Sequence, residues 1–90
     1  MLLKNACGIL FCGTGIGMSI SANRFNHLRA ALCTDENMAS LSRKHNNANV
    51  LVMGGRTTVF GLAKKITRVF LETDFEYGRH QARVNKLQVK

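Results

Sequence analysis

The 90-residue chain contains no proline, one tyrosine and few acidic side chains: five Asp and Glu stand against 13 Lys and Arg, a formal net charge of +8. Without proline, glycine and asparagine must supply the turns and the helix stops. The aromatic residues are Tyr77 and five phenylalanines, most of them inside apolar runs, so no stacking platform interleaved with basic residues is evident. That weakens nucleic acid as the partner. The positive charge still implies an anionic partner, and composition alone leaves nucleic acid, a membrane surface and phosphorylated metabolites open. No apolar run approaches a membrane span, and Lys4 and Asn5 interrupt the apolar start before a signal-like core can form. Cys7, Cys12 and Cys33 form no Cys-x-x-Cys pair, and His27, His45 and His80 stand apart from them, so zinc-ligand spacing is absent. The expectation is a soluble, cytoplasmic protein with reduced thiols and neither membrane nor metal among its partners.

What is present is an alternation of short apolar runs and amphipathic stretches. "ACGILFC" (Ala6 to Cys12) reads as a strand buried on both faces, and "IGMSISANRF" after it as a short helix. "LRAALCT" (Leu28 to Thr34) is a second strand candidate. Thr34 or Asp35 can cap "ENMASLSRKH", where Met38, Leu41 and His45 recur at helical spacing, and "NNAN" stops that helix. "VLVMGG" (Val50 to Gly55) is the clearest strand. From Thr58 to Leu71, Val59, Leu62, Ala63, Ile66, Val69 and Phe70 follow the helix period. A turn around Glu76 to Gly78 leads into a basic final helix, "RHQARVNKLQVK". Strand–helix three times plus a terminal helix predicts a single α/β domain over residues 1–90, a Rossmann-like three-layer fold with a parallel sheet of about three strands and right-handed crossovers.

The glycines Gly13, Gly15 and Gly17 lie between a strand end and a helix start. Their spacing is neither Gly-x-Gly-x-x-Gly nor a P-loop. Glycines here either leave backbone amides open to an anion or simply permit a tight turn. Cys12 favours the first reading, because it stands at the carboxyl end of a parallel strand, the edge where α/β folds bind ligands. A helix N-terminus beside it favours the reactive thiolate. Cys7 and Cys33 have no such setting and read as structural thiols.

His45 closes a predicted helix, where the dipole attracts positive charge, and could donate a proton to a substrate oxygen; a plain helix cap is the alternative. Arg79 and Arg83 lie one helical turn apart with His80 between them, so an anion would relieve their repulsion. Arg56, after Gly54-Gly55 at a strand end, is a third candidate phosphate ligand. A solvated basic face would account for the same residues. His27 has no comparable context and is left structural.

These segments together resemble a known family. "GILFCGTGIGMSISANRF", "LRAAL", "SRKHNNANVLVMGGR" and "FEYGRHQARV" are similar to the type B ribose-5-phosphate isomerases and the related galactose-6-phosphate isomerase subunits, from about Ala6 to about Leu87. The resemblance implies aldose–ketose isomerisation of a sugar phosphate through an enediolate. Cys12 would be the base that moves a proton between adjacent carbons, and the amides of Gly13, Thr14, Gly15, Ile16 and Gly17 would hold the oxyanion. Thr14 and His45 would assist ring opening, Asn46 would orient a hydroxyl, and Arg56, Arg79, His80 and Arg83 would bind phosphate. It implies no cofactor, and a homodimer or higher homo-oligomer with the site between two subunits.

The resemblance covers the family's C-terminal portion. Members carry an Asp-His strand, a helix and a further strand before the cysteine strand, and this sequence begins almost at the cysteine strand. The expectation is an N-terminally incomplete domain with an exposed apolar edge on the Cys12 strand. Two outcomes follow from that: an active isomerase, or a non-catalytic fragment, either a truncated product or a piece that docks on a full-length partner.

Overall fold

In a computed structural model, residues 7–76 are described. Six elements alternate along them: β1 (Gly8–Cys12), α1 (Ile16–Ala22), β2 (Ala30–Leu32), α2 (Glu36–Asn46), β3 (Val50–Gly54) and α3 (Phe60–Glu72). The strands form one parallel sheet in the order β1-β3-β2, with Gly8 opposite Val50, Cys12 opposite Gly54, and Ala30 opposite Val50. The central place of β3 explains its composition: every residue of "VLVMG" is buried, and β-branched side chains suit a strand covered on both faces.

The chain steps over β3 from β1 to β2 and then returns. Right-handed crossovers put the helices of a forward and a reversed step on opposite faces. Accordingly α1 packs on one face against all three strands, while α2 and α3 pack together on the other. On that second face Leu51 and Met53 meet Cys33, Ala39, Ala63, Ile66 and Phe70 in the main core. Alternation along β3 turns Val50 and Val52 to the α1 side. Ile66, Phe70, Leu51 and Met53 are fully buried, and each contributes about 1.5–3 kcal/mol by leaving water.

Local signals set the helix ends. The Asp35 carboxylate accepts the Met38 amide at 2.8 Å, which chooses Asp35 over Thr34 as the cap. Asn47 ends α2 in the left-handed region at φ 49°, a conformation asparagine tolerates better than most residues.

Four expectations need correction. Strand β1 is buried on one side only: Ile9 and Phe11, opposite Leu51 and Met53, are 40% and 53% exposed, because on that face α3 packs over β3 rather than over β1. Met38 and Leu41 do not form the inner face of α2; Ala39 and Ser42 do, since small side chains let α2 approach the sheet and α3. Helix α1 stops at Ala22 rather than Phe25, and β2 keeps three residues of its predicted seven, consistent with its alanine-rich sequence. The predicted terminal helix lies outside the described residues.

Candidate functional site

Helices α1 and α3 leave the neighbouring strands β1 and β3 on opposite faces, the arrangement at whose carboxyl edge α/β folds bind ligands. Cys12 ends β1 there, half-buried. Its carbonyl accepts the Gly55 amide at 2.6 Å, and the Gly13 carbonyl accepts the Arg56 amide at 2.9 Å, which ties the two loops together. Gly15 turns the chain into α1 at φ +84°, a conformation open to glycine; a Cβ there would lie 2.5 Å from Leu32 Cδ1. At Gly54 the requirement is room: a Cβ would stand 2.3 Å from Thr57 Oγ1 and 2.8 Å from the Thr14 backbone.

Among the described residues no hydrogen bond takes up the amides of Gly13, Thr14 or Gly15, and the Ile16 amide reaches only Thr14 Oγ1, at 3.4 Å. Around Gly17 there is open space. The Arg56 side chain is exposed and leans over Gly13, its Nε 3.5 Å from where a Cβ would be. With α1 only about two turns long, these open amides and Arg56 supply the local positive potential more than a helix dipole does. Cys12, Gly13, Thr14, Gly15, Ile16, Gly17 and Arg56 therefore share one edge, which presents a thiol, unpaired donors and a guanidinium.

His45 and Asn46 are elsewhere. They end α2, and the chain from Asn46 to Asn49 leads into the amino end of β3. Asparagine side chains build this end: Asn49 accepts the Arg29 amide at 2.7 Å and donates to the His27 carbonyl at 2.8 Å, and Asn23 accepts the Ala30 amide at 2.7 Å. Arg29 Nε donates to the Asn47 carbonyl at 2.7 Å. Exposed Asn46 borders a cleft of about 350 Å³ with Asn23, Arg29 and Ala48. His45 Nε2 lies 3.9 Å from Glu76 Oε1, and the Glu76 amide donates to the Lys44 carbonyl at 3.0 Å.

One chain thus does not gather the predicted residues into one pocket. Five strand residues, about 13 Å of rise, separate the level of Cys12 from the level at which α2 ends. Arg79, His80 and Arg83 lie outside the described residues. Cys33 is buried, and desolvation raises its thiol pKa above the ordinary 9.0, assisted by the Asp35 charge and opposed by a hydrogen bond with Ser42. Burial keeps it a core thiol. Cys7 is half-buried against the same core. His27 is exposed, edge-on to Phe25. Among the described residues no helix is long and apolar enough to cross a membrane.

Glu76 and Thr57 were not predicted from the sequence. Thr57 could have been sought beside Arg56. Glu76 carries no local signal, because it meets His45 only through the packing of α2 on α3.

Residues 3–87 match the family described as Ribose/Galactose Isomerase. Ribose-5-phosphate isomerase B of Escherichia coli is 49% identical over 80 residues, 89% of this chain and 54% of that protein. D-erythrulose-4-phosphate isomerase of Pectobacterium atrosepticum is 46% identical over 84 residues, covering 93% and 55%. The crystal structure of a ribose 5-phosphate isomerase from Thermotoga maritima superposes with a TM-score of 0.89 at 54% identity, over 91% of this chain and 57% of that one. The chain spans about half the length of the curated relatives it matches.

Proposed function

Since the chain belongs to the ribose/galactose isomerase family, we propose that it interconverts an aldose phosphate and its ketose, ribose 5-phosphate with ribulose 5-phosphate, at sites completed by two copies of the chain. The Cys12 thiolate takes the proton from C2 of the open-chain sugar. Charge then collects on the carbonyl oxygen, where the amides of Gly13 to Gly17 hold it as the enediolate forms. Return of the proton to C1 gives the ketose, and the hydroxyl proton passes from O2 to O1, so no atom or electron enters or leaves. A second copy contributes His45, which with Thr14 opens the ring, and Asn46, which holds a hydroxyl. Arg56, Arg79, His80 and Arg83 take the phosphate. The +8 charge fits that anionic substrate.

The observation that carries the two-copy reading is the opposite placement of Cys12 and His45 along parallel strands. Refolding Cys12→Ala and His45→Ala chains together tests it. Each variant alone is expected to be inactive. In a two-fold dimer an equal mixture should regain about a quarter of wild-type turnover, because half the dimers are mixed and each mixed dimer holds one intact site. A mixture as inactive as its components would overturn the shared site.

The exposed Ile9 and Phe11 favour a second reading, a non-catalytic piece docked through β1. Wild-type chain that folds and self-associates yet leaves ribose 5-phosphate unchanged would select it.

A further inference from the structure

We propose that Glu76 is the positioning residue of His45, holding the Nε2–H side of the imidazole so that proton transfer runs through Nδ1. The proposal rests on the reading of His45 as the ring-opening acid.

Glu76 is fixed where it stands by contacts independent of its carboxylate. Arg43 Nε donates to the Thr73 carbonyl at 3.0 Å, and the Arg43 guanidinium lies 5.0 Å from the centre of the Phe70 ring, binding the end of α3 to the last turn of α2. Phe75 is buried, and the Glu76 amide donates to the Lys44 carbonyl. That last bond seats residue 76 against the residue next to His45. The carboxylate then comes to 3.9 Å from Nε2, within ion-pair range.

A carboxylate on one ring nitrogen selects the tautomer and the ring orientation, and so decides which atom exchanges protons with the substrate. As the imidazolium gives its Nδ1 proton to the sugar ring oxygen, the neutral ring left behind is the Nε2–H tautomer. That is the tautomer whose remaining proton faces Glu76. The same chain segment runs on in sequence to Arg79 and His80, two of the proposed phosphate ligands.

The test reads the ring itself. In wild-type chain with 15N-labelled histidine, long-range 1H–15N spectra above the imidazole titration should give His45 widely separated shifts, Nε2 protonated and Nδ1 not. Glu76→Ala should move both toward the averaged values of exposed His27, and Glu76→Asp should restore part of the separation. Glu76 is half-exposed, so the variants should keep the wild-type amide spectrum elsewhere. Unchanged His45 shifts in Glu76→Ala overturn the proposal. This readout needs no turnover, so it fails separately from the isomerase reading, which the ribose 5-phosphate assay decides. Where turnover is measured, Glu76→Ala should lower kcat about tenfold or more with little change in KM, while equal loss in both variants and no split would also count against positioning.

Discussion

The two ends of the sheet are built by different means. At the carboxyl end the chain relies on backbone: glycines bring β1 and β3 loops into contact, and the donors they expose are amides. At the amino end it relies on side-chain amides, with Asn23 joining the end of α1 to β2, Asn49 joining the segments before β2 and β3, and Asn47 turning the chain. A site for a developing oxyanion needs donors whose partners have been withheld, and glycine loops withhold them. A site for an imidazole needs a ring of fixed orientation, and the Glu76 carboxylate beside Nε2 is the group that can fix it.

The contrast can be broken at either end. Gly54→Ala should have the larger effect, because its Cβ would overlap the Thr14 backbone as well as Thr57. A loss of about 3 kcal/mol in urea unfolding is expected, together with disturbed amide signals through the Cys12 loop. Asn49→Ala should cost about 2 kcal/mol by leaving the Arg29 amide and the His27 carbonyl without their partner. Hydrogen exchange should then quicken at the amino end and stay unchanged around Cys12; equal quickening at both ends would erase the distinction. The smallest effect concerns Cys33, which belongs to neither end. Its folded pKa is raised, so the folded state keeps a proton that the unfolded chain loses. Stability from this group is complete below pH 9.0 and is lost as pH rises through the higher folded value. Unfolding midpoints across that range should fall less steeply in Cys33→Ala than in the wild type.

Sequence reading reached the parts that depend on neighbours in the chain. "VLVMGG" read as the clearest strand, Thr34 or Asp35 as a cap, and the run from Cys12 to Gly17 as a strand end whose glycines could leave amides open or serve a tight turn. The order β1-β3-β2 could not be read that way. The separation of Cys12 from His45 was implicit in the parallel alternation, because strands end at one edge of the sheet and helices return the chain to the other. Burial of Ile9 and Phe11 failed because a strand's face is covered only if another element lies against it. The Glu76–His45 contact was invisible because it is made by the docking of α3 on α2, and neither residue marks the other.

The open side of β1 also bears on how the protein behaves in a tube. "GILFC" is an uncharged run without proline, and along its outer side the backbone has no ladder partner among the described residues. Such a strand can template addition of another like it, so association should rise with concentration independently of any substrate. A lysine in place of exposed Ile9 would act as a gatekeeper, keeping concentrated stocks dispersed while leaving the inward-facing Leu10 and Cys12 as they are.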